Sequence, residues 1–192
     1  IYAGCQPISV WCQASCTDLS VAINLSSTKF QEVELPEKIN AVLQKFNLPP
    51  NVLKIELTET TVMEDVAAVK DNMETLHRMV IGIALDDFGT GYSSLSYLKQ
   101  FPLETIKIDR AFVLDLVDNL PDQAVARSII SLCHDLGMQV VAEGIETEQQ
   151  LDFFRRNKCE KYQGYLFSKP ITGIEFTTLL HDQAITACKS CC

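Results

Sequence analysis

The chain has 192 residues, 47% hydrophobic and 21% charged, enough for one globular domain with a sizeable core. Its net charge of −9 argues against a duplex DNA or RNA partner, which needs clustered Lys and Arg, but admits a small phosphorylated ligand held through metal. No apolar run approaches the ~20 residues of a membrane span, and Ile1-Tyr2-Ala3-Gly4 starts no basic, apolar leader, so a cytoplasmic domain is expected.

From the N-terminus, Cys5 to Cys16 reads weakly as a helix, with Pro7 tolerable only near its first turn. Val21 to Ser26 is a short buried strand. Pro36 opens a helix whose Ile39, Val42, Leu43 and Phe46 share one face, and Pro49-Pro50 stops it. Leu53 to Glu59 is a strand with acids at its end. Met63 to Met79 is helical, with Val66, Val69, Met73 and Leu76 on one stripe. Val80 to Leu85 is a strand that leads onto Asp86-Asp87-Phe88-Gly89-Thr90-Gly91. A short helix from Ser93 to Phe101 ends at Pro102, and Thr105 to Asp109 is the next strand.

Pro121 begins a helix with Val125, Ile129, Leu132 and Leu136 inward and Gly137 as its stop. Gln139 to Gly144 is a strand. Thr147 and Gln150 form a capping-box pattern ahead of Leu151 and Phe154. Tyr162 to Phe167 is the last strand, and a final helix runs from about Gly173 to His181. The domain is taken as 1–181, with 182–192 a disordered, Cys-rich tail. The eight cysteines read as reduced thiols; zinc shared by Cys12, Cys16, Cys188 and Cys191 would require the chain ends to meet.

Strand and helix alternate throughout, which implies a parallel sheet covered by helices, either an open doubly wound sheet or a (β/α) barrel. Neither GxGxxG nor GxxxxGK[ST] occurs, which weakens the open nucleotide-type sheet. Polar residues stand at nearly every strand end: Asn24, Glu56 with Glu59, Asp86 with Asp87, Lys107 with Asp109, Glu143 with Glu146, and Gln163. In a barrel these ends converge on one mouth. A single acid at a strand end is commonly a helix cap or turn former; a series of them is not. Carboxylates with an Asn amide are ligands for Mg²⁺, Mn²⁺ or Ca²⁺, so the residues point to metal-dependent phosphoryl transfer or hydrolysis, with two metals.

The segments Asn24-Leu25-Ser26, Glu56-Leu57-Thr58-Glu59, Asp86 through Leu95, Ile106 through Arg110, Val141 through Thr147 and Gln163-Gly164-Tyr165 resemble, in order and spacing, the EAL-domain family. These are bacterial phosphodiesterases that cut cyclic di-GMP to linear pGpG. The resemblance covers about Trp11 to Leu180 and implies a TIM-like (β/α) barrel working with Mg²⁺ or Mn²⁺, Ca²⁺ being inhibitory. Carried over by position, it implies metal ligands at Asn24, Glu56, Asp86, Asp87 and Glu143. It implies a water-holding Lys107 and catalytic roles for Glu143 and Gln163. Glu59 would anchor the glycine loop, and Gly89, Gly91, Asp109 and Glu146 would serve substrate and loop.

No Glu-Ala-Leu tripeptide occurs in this sequence, so the glutamate that names the family, also a metal ligand, is not found. Six family-like strands are counted, and the barrel is therefore expected to be incomplete at its N-terminus, with weaker metal binding, slower turnover and unpaired edges open to a homodimer. An upstream sensory or GGDEF-type domain is the expected companion in a longer protein. The alternatives to an enzyme are a receptor that holds cyclic di-GMP uncut and an interaction scaffold.

Overall fold

The computed structural model describes residues 1–13, 19–64, 66–89 and 98–180. The elements are α1 (Tyr2–Gln13), β1 (Val21–Asn24), α2 (Ser27–Phe30), α3 (Leu35–Phe46), β2 (Leu53–Thr58), α4 (Glu59–Glu64), α5 (Val66–Arg78) and β3 (Gly82–Phe88). They continue with β4 (Thr105–Ile108), α6 (Ala111–Leu114), α7 (Leu120–Asp135), β5 (Gln139–Ala142), α8 (Glu148–Arg156) and β6 (Lys161–Tyr162). A last helix, α9, spans 173–180.

The strands form one six-stranded sheet in the order β1-β2-β3-β4-β5-β6, every neighbouring pair parallel. Parallel neighbours in sequence order are the consequence of a helical crossover after each strand. The sheet curls. Laid flat, β2 and β6 would stand ~19 Å apart, yet the Lys54 ammonium on β2 is close enough to depress the pKa of Lys161 on β6, after the larger effect of burial. The fold is an α/β, TIM-like barrel that is incomplete, with β1 and β6 at its edges.

Alternation along the strands divides the sheet into two faces. Leu53, Ile55 and Leu57 of β2 and Ile106 and Ile108 of β4 are fully buried in the apolar core. Lys54, Glu56 and Thr58 of β2, and Thr105 and Lys107 of β4, occupy the other face. At the floor of the barrel Lys54 Nζ meets Glu104 Oε1 at 2.8 Å. Gly82 makes room for that carboxylate, since a Cβ there would fall on Glu104 Oε2.

The helices follow the apolar stripes, with four departures from the sequence reading. Pro7 lies well inside α1, beyond its first turn. The helical run read from Met63 begins earlier, at Glu59, with Val69, Met73 and Leu76 buried and Val66 partly so. On α7 the buried stripe is Ala126, Ile129, Ile130 and Cys133, and Val125 is 38% exposed. The small Ala126 and Cys133 let the helix lie close on the sheet, which turns the bulkier Val125 outward. Strand β6 stops at Tyr162, because residues from Gly164 fold back as a turn over Ile145.

The capping box at Thr147 and Gln150 is present on α8, and Leu151 and Phe154 are buried. Gly137 adopts φ +74 behind α7 and lets Met138 N donate to Cys133 O at 2.8 Å, a helix-ending bond. Trp11 of α1 stacks edge-on with Phe176 and donates from Nε1 to Thr177 Oγ1 at 2.9 Å, so the two ends of the described chain meet. No helix among the described residues is long and apolar enough to cross a membrane. The short helix read over Ser93 to Phe101 lies largely outside the described residues, as do Gly91, Cys16, and the tail 182–192 with Cys188 and Cys191.

Candidate metal centre and active site

A side chain's place at the barrel mouth is set by strand parity, and one irregularity changes that parity. Between β3 and β4 the register runs Leu85 to Ile106 and then Phe88 to Ile108, so three steps on β3 face two on β4. Asp87 takes up the extra step with φ 55, and its amide donates to Asp86 Oδ1 at 3.1 Å. A bulge of this kind re-aims side chains that regular pleating would send to opposite faces. Adjacent Asp86 and Asp87 thus serve one site. Together with Glu143, just past β5, they offer carboxylate oxygens that all lie within 4.8 Å of one another.

Lys107 stands in the middle of this group, its side chain 6% exposed. Its ammonium reaches Glu143 Oε1 at 2.8 Å, Glu56 Oε2 at 2.9 Å and Asp86 Oδ1 at 3.0 Å, one carboxylate for each of its three N–H donors. Burial alone would push the amine toward neutrality, but the bonds to Glu143, Glu56 and Asp86 win, and its pKa is raised. Glu143 is pushed up by burial and held back by its bond to Lys107. Asp87 is pushed up by burial, then by the charges of Asp86 and Asp109 and a bond to Asp109. Carboxylates crowded enough to raise one another's pKa store repulsion that a cation relieves.

The other sequence-derived residues fall around this centre. Asn24 ends β1 in register with Glu56. Glu56 belongs to the group through Lys107. Asp109 sits beside Asp87 and also accepts from Ala111 N at 2.7 Å, opening α6. Glu146 is exposed and pairs with Arg110 at 3.1 Å. Gln163 follows β6, and its backbone N–H donates to Ala142 O at 2.8 Å. Gly89 has φ +99, and a Cβ there would press on the Phe112 ring, so this position suits glycine twice over. Glu59, 6% exposed at the start of α4, has one carboxylate oxygen, Oε2, with no hydrogen-bond partner among the described residues.

A cavity of about 550 Å³ opens beside Glu143. Arg110, Glu146, Gln163, Tyr165, Lys169 and Phe176 are among its lining residues. Arg110 and Tyr165 lie inside recognised segments but carry no assigned role in the sequence reading, and Lys169 has no pattern to mark it until the turn after β6 brings it to the mouth.

A parallel-stranded α/β barrel with carboxylates gathered at the C-terminal ends of its strands is the architecture in which barrel enzymes carry their active sites. The EAL domain family matches residues 4–170, and the chain belongs to that family. MucR of Pseudomonas aeruginosa, a bifunctional diguanylate cyclase/cyclic di-GMP phosphodiesterase, is 39% identical over 167 residues, 87% of this chain and 24% of MucR. The PaMucR phosphodiesterase in complex with c-di-GMP superposes with a TM-score of 0.87 at 37% identity, covering 91% of this chain and 71% of that one. The EAL domain of Mycobacterium smegmatis DcpA gives 0.89 at 37% identity, with 94% and 82% covered. The Klebsiella pneumoniae BlrP1 manganese complex with cyclic di-GMP gives 0.79 at 31% identity, with 86% and 42% covered. The chain spans about a quarter of the length of the curated relatives it matches.

Proposed function

We propose that this chain is the hydrolytic domain of a cyclic di-GMP phosphodiesterase, opening one phosphodiester to give linear pGpG. The observation that carries the reading is the convergence of Asp86, Asp87 and Glu143 within 4.8 Å around a charged Lys107. The donors are all oxygen, which fits Mg²⁺ or Mn²⁺, and their mutual repulsion favours a cation. Asn24 and Glu56 extend the ligand set on the β1–β2 side. When bound, the metals lower the pKa of water and neutralise charge on the phosphoryl oxygens.

The chain's own groups then divide the work. Lys107, held in its protonated form, exchanges one of its three carboxylate bonds for a bond to a water between the carboxylates and holds that water for in-line attack. Glu143 and Gln163 orient that water and the phosphate beside the 550 Å³ cavity. Glu59 anchors the glycine loop, Gly89 serves the same loop with its own left-handed backbone, and Asp109 and Glu146 support the substrate side. The glycine at 91 is assigned the same loop role on its sequence position alone.

The domain is taken as 1–181 with a tail at 182–192, in a longer protein with a sensory or GGDEF-type neighbour. The test is to incubate the purified chain with cyclic di-GMP and Mg²⁺ or Mn²⁺, follow pGpG, and measure binding in Ca²⁺. Product in Mg²⁺ or Mn²⁺ but not Ca²⁺ supports the enzyme. Tight binding with no product in any metal makes the chain a receptor instead.

A further inference from the structure

Glu143 is carried on an irregular stretch, Glu143-Gly144-Ile145-Glu146, with no helix or strand of its own. Its carboxylate nevertheless points at Lys107 to within 2.8 Å. Two neighbours hold the stretch. On one side the backbone after β6 lies against it: Ile145 N donates to Gln163 O and Leu166 N donates to Ile145 O, both at 3.0 Å. Gly164 is what permits this approach, since a Cβ there would fall on the Ile145 amide and carbonyl. On the other side Arg110 lies across Gly144, whose φ is +71; a Cβ on Gly144 would meet Arg110 Cγ at 2.5 Å. The same side chain ends in the ion pair with Glu146, Nη2 to Oε1 at 3.1 Å.

We propose that Arg110 is a positioning residue, which with Glu146 clamps the 143–146 stretch against the Gly164 backbone and keeps Glu143 at the cation-binding cluster. This rests on the phosphodiesterase reading for its kinetic part only. The pair is too exposed, 54% for Arg110 and 38% for Glu146, to hold the fold together. Exposed ion pairs contribute little to stability, because water screens them and two long side chains must be ordered to form them. Its value lies in aiming one carboxylate. Arg110 also borders the cavity, so a direct contact with substrate phosphate is the competing role, and the two roles separate experimentally.

The experiment compares Arg110→Ala, Glu146→Ala, the double variant and Arg110→Lys with the parent chain. Three readouts are used: affinity for Mn²⁺ alone, kcat and KM for cyclic di-GMP, and the Lys107 ammonium ¹⁵N resonance in the absence of metal. Residues that support a metal ligand are worth roughly 10-fold to 100-fold in affinity or activity. Each alanine variant is expected to lose about 10-fold in both Mn²⁺ affinity and kcat, with KM little changed. The double variant is expected to match the singles, because the two residues act as one unit. Arg110→Lys, which keeps stem and charge, recovers most of the loss. The Lys107 resonance moves toward its position in Glu143→Gln.

A raised KM in Arg110→Ala with kcat and Mn²⁺ affinity intact, or losses that simply add in the double variant, overturns the clamp in favour of substrate contact. An unmoved Lys107 resonance overturns it outright. A parent chain that binds Mn²⁺ without cutting cyclic di-GMP refutes the phosphodiesterase reading alone. The clamp is then judged on Mn²⁺ affinity and the Lys107 resonance.

Discussion

Replacing Lys107 by Met keeps most of the side-chain volume and removes the charge that three carboxylates share. Each pair, at 2.8 to 3.0 Å, is worth about 5–6 kcal/mol of attraction at an effective dielectric of ~20. Mutual repulsion of the carboxylates and the lost hydration of all four groups cancel most of that sum. Removing one partner from a buried pair typically costs about 3–5 kcal/mol. The Glu56, Asp86 and Glu143 side chains keep 12%, 12% and 16% of their exposure, so water still reaches them, and the lower end is expected.

The loss must depend on pH. Burial already raises the Glu143 carboxyl, and the bond to Lys107 is what restrains it. Without that bond its folded-state pKa rises further above the unfolded value. The variant is then least destabilised below the unfolded carboxyl pKa of about 4.3 and loses stability as pH climbs through the folded one. Urea denaturation of both proteins at about pH 5 and about pH 8 measures the difference. A loss of about 3 kcal/mol at the higher pH, shrinking at the lower and partly restored by Mn²⁺, is the expected result. Equal stability of the two proteins at the higher pH, or a loss that ignores both pH and Mn²⁺, would refute the picture of a shared ammonium.

Other consequences can be measured directly. Asp86→Asn should lower turnover of cyclic di-GMP by roughly 100-fold or more while leaving circular dichroism and the unfolding midpoint nearly unchanged; surviving turnover would remove Asp86 from the metal site. Gly82→Ala places a Cβ on the Glu104 carboxylate, the end of a flexible, half-exposed side chain that can swing aside, so it should cost no more than about 1 kcal/mol in urea denaturation, through the loosened Lys54–Glu104 pair, and nothing further in a Glu104→Ala background. Burial pushes the Cys133 thiol up to about 12 and the Cys159 thiol up to about 11. Stability from these thiols is full below the unfolded pKa of about 8.5 and is lost as pH rises through their folded values, so unfolding free energy should fall across that alkaline window and fall less in Cys133→Ala. Both thiols should resist alkylation near neutral pH until the protein is unfolded, and rapid labelling of the native chain would contradict their burial.

Much of the fold could be read from the pattern of the chain. Six parallel strands follow from six apolar runs separated by helical stripes, and the punctuation at Pro49-Pro50, Gly137 and Thr147 marks ends where the structure has them. The strand-end polar residues could be gathered to one mouth because parallel strands share a direction. What resisted reading was anything decided by packing between elements. The inward face of α7 went to Ala126 and Cys133 because small side chains allow close approach, a preference that hydrophobicity alone does not express. Strand β6 ends early because Gly164 turns to meet Ile145, a contact with the stretch after the neighbouring strand β5 that is remote in sequence. The roles of Arg110 and of Asp87's extra step depend on register, which no local window contains.

That extra step has a consequence for how such a domain can change. A strand's side chains alternate like odd and even numbers, and Asp86 and Asp87 share a face only because β3 counts one residue more than β4 over the same span. Deleting the Asp87 position would make the count even again, and the sheet, its apolar face and the cavity beside Glu143 would have no reason to change. Chemistry in this barrel is therefore stored in a miscount rather than in the core. One deletion would part the two carboxylates while leaving the rest of the mouth in place, and one insertion would reunite them.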